Sequence, residues 1–364
     1  MSATVRAKGL DASGRISIEE LQLATRNHGM PLEALRHEIT PAGLHYLLIH
    51  YDVPVVDGAA WRLRVGGSVE RELALSLDDL RARPRVTMPV TFECAGNGRA
   101  RLQPRPVSQP WLGEAVGTGM WGGVELRGIL QEAGLASGAA DVVFTGLDRG
   151  IEGGVEQRYA RSLTVAEALA SGALLADELD ARPLPPQHGF PLRLVVPGWY
   201  GMTNVKWLAE ITAVDEPFDG YQMVTSYRLY RESDEEEGEA VTRMRPRALL
   251  APPGIPDFLS RERHLAPGPC PLEGRAWSGR GDITAVDVRV DDGPWRPAAL
   301  GSRPGPHAWR AWSFDGWVAE PGTHVLACRA TDATGATQPE EPPWNLKGFE
   351  NNAVQRIVVH VRPD

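Results

Sequence analysis

Cysteine is scarce in this chain. Cys94, Cys270 and Cys328 are the only three in 364 residues, and they stand far apart. That spacing excludes a disulfide framework, a CxxC zinc site and a CxxCH haem attachment. A single thiolate can still serve a metal if a cofactor brings the remaining ligands. Long apolar runs are missing too: no stretch reaches the roughly 18 consecutive apolar residues of a membrane span. Met1–Lys8 opens without the apolar core of a signal peptide, so the expectation is a cytoplasmic chain with no membrane partner. Excess positive charge is also absent. With 38 Lys and Arg against 47 Asp and Glu, the net charge of −9 argues against nucleic acid as a partner. An anionic ligand must therefore be held by a local cluster of Arg, Lys and His.

What is present is enough apolar content, 42%, for a real core, in a chain long enough for two domains. Residues 1–240 read as an α+β domain. Ser17-Ile18-Glu19-Glu20 is a capping box that opens a short helix, and Ser76 and Thr164 are placed to cap two more. Strand-like runs lie at Trp61–Val65, Val86–Phe92, Val142–Thr145 and Leu192–Val196. Regular βα alternation is lacking, which argues against a doubly wound parallel sheet. The acidic run Glu232–Glu239 reads as a solvated loop and marks a change in composition. Residues 241–364 lose the helical signal. Ile283–Val290, Trp309–Trp317, Thr323–Thr331 and Val354–Val361 are short strands between Gly/Pro turns, the pattern of a β-sandwich. Six of the eleven tryptophans fall here and read as core and interface packing.

Two strings carry chemistry. In Thr91-Phe92-Glu93-Cys94-Ala95-Gly96-Asn97-Gly98-Arg99 a strand ends in a cysteine, followed by small, turn-prone residues and an arginine. Taken alone it reads first as a buried structural cysteine. Yet glycines allow close backbone approach, an arginine nearby favours a thiolate and attracts an oxyanion, and soft thiolate suits a redox-active metal. The second string runs from His188-Gly189-Phe190-Pro191-Leu192-Arg193 to Asn204-Val205-Lys206-Trp207. A histidine before a strand is commonly satisfied locally, but His188, Arg193 and Lys206 together could grip a phosphate.

Both strings, in this order, resemble the sulfite oxidase family of molybdopterin-dependent oxidoreductases, in the plant-type form without a haem domain. The resemblance runs from about Ile39 to the end of the chain. It implies that Cys94 is the thiolate ligand to molybdenum, and that Tyr46, His50, Thr118, Asp148, His188, Arg193, Asn204, Val205 and Lys206 hold the molybdenum-molybdopterin cofactor. It implies Arg99, Tyr227 and Lys347 around the substrate, with Tyr230 competing for the tyrosine role. Gly274–Gly279 and Trp344–Asn352 are similar to the family's Ig-like dimerisation domain, which implies a homodimer with Lys347 reaching toward the active-site mouth.

Two positions depart from the family pattern. The arginine of its Arg-Asn-His triplet is here Leu48, before Ile49 and His50, and Lys347 stands where arginine is usual. Arg26-Asn27-His28 lies too early to align with the triplet and reads as a decoy unless the fold brings it back to the pocket. The expected activity is two-electron oxygen-atom transfer, with sulfite as first candidate and an external electron acceptor. Reduction of a sulfoxide-like compound is the rival on the same fold, and a non-enzymatic binding protein is the reading from a different class.

Overall fold

The computed structural model describes residues 10–11, 15–232, 235–342 and 344–362; Met1–Lys8 lies outside them. All three expected caps form as capping boxes. They open the helices Ile18–Ala24, Leu77–Arg81 and Val165–Ala170, with Glu20, Asp79 and Glu167 returning a bond to the cap backbone. A fourth helix, Leu126–Ala133, has no side-chain cap and forms by packing. Its buried Leu126, Ile129, Leu130 and Ala133 follow the i, i+3, i+4, i+7 stripe of an amphipathic helix. No helix among the described residues is long and apolar enough to cross a membrane.

The first part of the chain is built on two five-stranded sheets. In one, Val86–Glu93 pairs with Val116–Glu125, which pairs with Leu174–Leu179; the latter also carries Arg182–Pro183 and Arg193–Val195. In the other the order is Leu73–Leu75, Leu63–Gly67, Leu208–Val214, Asp141–Glu152, Val155–Thr164. Within these two sheets only Leu208–Val214 with Leu63–Gly67 is parallel, in line with the missing βα alternation. Leu63, Val65, Phe144 and Ile211 of the second sheet meet Val124, Leu175 and Leu194 of the first in one apolar core.

The C-terminal part is a sandwich. A four-stranded sheet holds Arg247–Leu250, Leu272–Trp277, Arg310–Phe314 and Ala299–Leu300. The facing six-stranded sheet is centred on Arg263–Leu265, Gln355–Val361, Gly322–Asp332 and Ile283–Val290. Ile283–Val290 forms a strand with the bounds read from the sequence and buries Val286 and Val288 on one face, while a register shift between Ile283 and Ala285 interrupts the alternation at its start. Trp312 and Phe314 pack against Val286, Leu326, Cys328 and Val359 between the sheets.

A separate apolar cluster joins the two parts and positions the site. Met30, Leu35, Ala95, Tyr227, Leu249, Trp277, Trp309 and Phe349 share it, so Trp277 and Trp309 pack this interface and Trp312 and Trp317 the sandwich core, while Trp295 and Trp344 are only partly buried. Behind it, Glu93 accepts from Arg247 Nη1, from Asn97 Nδ2 at 3.0 Å and from Trp277 Nε1 at 2.9 Å, all buried. The C-terminal segment then folds over the cysteine loop. Glu350 N donates to Ala95 O at 2.8 Å, and Asn351 Nδ2 donates to Gly98 O at 2.7 Å.

Candidate active site

Cys94 follows the last residue of the Val86–Glu93 strand and is 7% exposed. Its N–H donates to Ala115 O at 2.9 Å, and its carbonyl accepts from Asn97 N at 2.9 Å, which starts a tight turn. Gly98 completes that turn at φ +88°, a left-handed conformation that favours glycine. Asn97 staples the loop: its amide donates to Glu93 and Gly113 while its Oδ1 accepts from Ala115 N. Burial raises the Cys94 thiol pKa, and the Arg99 charge opposes that shift. Among the described residues no group of three or more His, Cys, Asp or Glu is placed to hold a metal.

Arg99 turns back over Gly96, where a Cβ would sit 2.6 Å from the guanidinium. Its Nε donates to Lys347 O at 2.7 Å and its Nη1 to Gln109 O at 3.3 Å, and its Cζ lies 5.0 Å from the Phe349 ring centroid. The side chain is buried and has no carboxylate ion pair among the described residues, so a positive charge faces the cysteine without a fixed counter-ion.

Cys94 borders two cavities. The inner one is lined by His45, Tyr46, Leu48, His50, Asp148, His188, Arg193, Asn204, Lys206 and Tyr227. Most of the residues expected around the cofactor therefore converge from segments up to 160 positions apart, Tyr46 to Lys206. Arg193 stands on a buried strand over Phe92 and Trp121, 5.0 and 4.7 Å from their rings. It donates to the carbonyls of His188 and Asn204, and its buried Nε has no partner. Burial lowers its pKa to about 10. Burial, reinforced by the charges of His45, Arg193 and Lys206, lowers His188 to about 2. Lys206 donates to Leu48 O at 2.7 Å; burial lowers its pKa and raises that of buried Asp148, whose Oδ1 is also unpartnered. One carboxylate thus stands among several buried cationic or imidazole groups. Such an arrangement suits a bound phosphate, because buried charge is tolerated when it is paired.

The outer cavity opens from Cys94 past Arg99, Trp111, Tyr227 and Phe349. Tyr227 borders both cavities, stacks on Phe349 with centroids 5.2 Å apart, and hydrogen-bonds His50 Nε2. Tyr230 borders neither, and the Lys347 ammonium lies 5.0 Å from its ring. Four expectations need correction. Arg26 is no decoy: Asn27 clamps its segment to the site by accepting from Ile49 N at 2.7 Å and donating to Gln109 Oε1 at 2.9 Å. Arg26 then donates to His50 O at 3.4 Å and lines the outer cavity. Lys347 does not reach the mouth, because its ammonium caps the Thr225 and Ser226 carbonyls at the end of the turn Gln222–Ser226. Thr118 points away, its hydroxyl 2.6 Å from that of Thr91. Val205 belongs to the apolar core.

His45 escaped the sequence reading. It is 2% exposed, lines the inner cavity, and its ring packs against Gly117. A Cβ on Gly117 would stand 2.8 Å from the ring, a fit between distant segments that no local pattern signals. Arg161 was missed for the same reason; it is buried, lies 5.6 Å from the Tyr227 ring and donates to Gln222 O.

Residues 50–222 match the oxidoreductase molybdopterin-binding domain, and residues 253–362 match the Mo-co oxidoreductase dimerisation domain. Sulfite oxidase of Gallus gallus is 35% identical over 347 residues, covering 90% of this chain and 74% of that protein. The mitochondrial sulfite oxidase of Homo sapiens is 33% identical, with 89% and 62% covered. Nitrate reductase 1 (NADH) of Oryza sativa subsp. japonica is also 33% identical, over 91% of this chain but only 39% of the plant protein. The chain thus spans less than two thirds of the human and rice proteins. Among solved structures, the sulfane dehydrogenase SoxCD from Paracoccus pantotrophus aligns with a TM-score of 0.79 at 25% identity, covering 100% of this chain and 92% of that one. An unpaired cation cluster beside a lone cysteine, on a fold and sequence held in common with these enzymes, has one account: the chain belongs to the sulfite oxidase family of molybdopterin-dependent oxidoreductases, and molybdenum-molybdopterin is its cofactor.

Proposed function

We propose that the chain oxidises a sulfur oxyanion, sulfite first, by two-electron oxygen-atom transfer, and passes the electrons to an external acceptor. The observation that carries this reading is Arg99, a buried guanidinium with no carboxylate partner among the described residues, beside Cys94 at the base of a solvent-connected cavity. When bound, the cofactor supplies the oxygen-atom transfer and the two-electron redox chemistry. The rest is what the protein's own groups do. Cys94 would ligate the metal. Arg193, Lys206, His188 and His45 would hold the phosphate end, with the Asn204 carbonyl fixing the Arg193 fork. Arg99 would orient the anion, and fixed donors in a site shielded from water stabilise developing charge more than water does. The Tyr227 hydroxyl, tied to His50, would hold a proton at the cavity wall.

Leu48 supports a second reading. It lies on both cavities where the family's arginine is usual, which favours a less charged oxo substrate taken in the reductive direction. Molybdenum-loaded protein assayed with sulfite and ferricyanide, and in parallel with nitrate or dimethyl sulfoxide and reduced viologen, separates the two. Sulfite-dependent ferricyanide reduction is expected; turnover with the oxo compounds alone would overturn the oxidative reading. The phosphate grip has its own test. Arg193→Met removes two charge-assisted bonds, and the pterin content of purified protein should fall at least about tenfold. An unchanged pterin content would remove Arg193 from the cofactor site.

A further inference from the structure

We infer that Arg26 supplies the anion-holding guanidinium that position 48 lacks, and that the outer cavity takes a sulfur oxyanion bearing an organic substituent, a sulfinate R–SO2−. The inference rests on the proposed oxidation of sulfur oxyanions and narrows its substrate class. Three observations carry it.

The first is the balance of charge. Five charged side chains line the outer cavity: Arg26, Arg99, Arg149, Asp52 and Glu152. Three arginines against two carboxylates leave the lining net positive, and three of the five groups are held by other partners. Glu152 accepts from the Tyr51 hydroxyl at 2.9 Å and from Gln222 Nε2 at 3.1 Å, Asp52 accepts from Arg149 N at 3.0 Å, and Arg149 pairs with Glu156 at 3.2 Å. Arg26 and Arg99 have no carboxylate ion pair among the described residues. Two guanidiniums facing one cavity call for an anion, and a guanidinium can bind an oxyanion through two parallel bonds.

The second is placement. Arg26 lies far before the family's arginine position in sequence, yet Asn27 fixes its backbone to Ile49 and Gln109, and His28 bridges to Leu47. The same Asn27 is 6% exposed and has both ends of its amide bonded. Arg26 is therefore presented beside residues 47–50 by a built clamp. A guanidinium returns to this rim from a different segment.

The third is the wall. Leu23, Leu48, Ile49, Ile151, Trp111 and Phe349 put apolar side chains into a lining that is otherwise polar. Bare sulfite gains nothing from that surface, whereas an alkyl or aryl group gains about 25 cal/mol per Å2 buried. The arginine usual at position 48 would put a hydrated charge where this chain offers a leucine.

The step balances as R–SO2− + H2O → R–SO3− + 2 H+ + 2 e−. The sulfur lone pair forms the new S–O bond, the oxygen comes from water with loss of both its O–H bonds, and the external acceptor of the proposed function takes both electrons.

The test uses the molybdenum-loaded enzyme with ferricyanide, and sulfite, methanesulfinate and benzenesulfinate as substrates. Benzenesulfinate is expected to equal or exceed sulfite in kcat/KM. Arg26→Met should raise KM for both anions by about tenfold, the loss of one charge-assisted contact, and Arg26→Lys should recover part of it. Leu48→Arg should favour sulfite over benzenesulfinate. A readout independent of turnover is the quenching of tryptophan fluorescence by benzenesulfonate and sulfate, which Arg26→Met should weaken by the same factor. If sulfite is oxidised, benzenesulfinate is not, and Arg26→Met changes neither KM nor binding, the inference is overturned while the proposed function stands. If no sulfur oxyanion is oxidised, the proposed function fails and takes the inference with it.

Discussion

Cys94→Ser is expected to bring turnover down to the uncatalysed background while the protein stays folded. The reasoning separates the ligand from the scaffold. The turn around position 94 is held by backbone bonds to Ala115 and Asn97 and by the Asn97 amide, none of which needs the sulfur. Because the side chain borders both cavities, a hydroxyl there meets polar groups, and its cost should stay within about 1–3 kcal/mol. What serine cannot supply is the soft thiolate that suits a redox-active metal. The phosphate grip at Arg193 and Lys206 lies elsewhere on the wall, so the variant should still copurify with pterin. The measurement is molybdenum and pterin per chain together with sulfite-dependent ferricyanide reduction. Cys270→Ser, half-buried in the sandwich, is the control and should keep wild-type turnover. Full activity in Cys94→Ser would end the assignment of the metal ligand.

Much of the frame is legible in sequence because it is local. Each helix cap needs only a hydroxyl and a carboxylate three residues on, and Ser17, Ser76 and Thr164 all satisfy that rule. Alternation likewise marks Ile283–Val290, since a strand buried on one face must repeat every second residue. The strings around Cys94 and His188 are also readable, being single segments whose residues converge on one cavity.

The rest depends on long-range fits that no local pattern encodes. Arg26 joins the site because Asn27 finds partners 22 and 82 positions away. Lys347 leaves it because two carbonyls more than 120 positions earlier accept its ammonium. Thr118 differs from its sequence reading by facing: Thr91 and Thr118 are directly opposite in the paired strands, and their hydroxyls bond each other. His45 needs the bare backbone of Gly117, a complementarity visible only once both segments are in place.

Arg247→Met is expected to be among the most damaging single substitutions outside the cavities. Glu93, 2% exposed, has its carboxylate held by the Arg247 guanidinium, the Asn97 amide and the Trp277 indole. Removing one partner of a buried pair leaves a desolvated charge and typically costs about 3–5 kcal/mol. The two remaining neutral donors offset part of that. The consequence reaches the site because Glu93 immediately precedes Cys94, while Arg247 and Trp277 belong to the sandwich. The same carboxylate therefore ties the cysteine strand to the C-terminal part of the chain, whose segment at Glu350 and Asn351 closes over the cysteine loop. Denaturant midpoint and cofactor retention should fall together in Arg247→Met. The double variant Glu93→Gln, Arg247→Met should regain part of the midpoint, since it removes the stranded charge, although the glutamine carbonyl can accept from only one of the Asn97 amide and the Trp277 indole. If Arg247→Met instead stays within about 0.5 kcal/mol of the parent, the range of an ordinary surface change, the ion pair does not hold the two parts together. The apolar cluster of Ala95, Tyr227, Trp277 and Phe349 would then have to position the cysteine loop by packing alone.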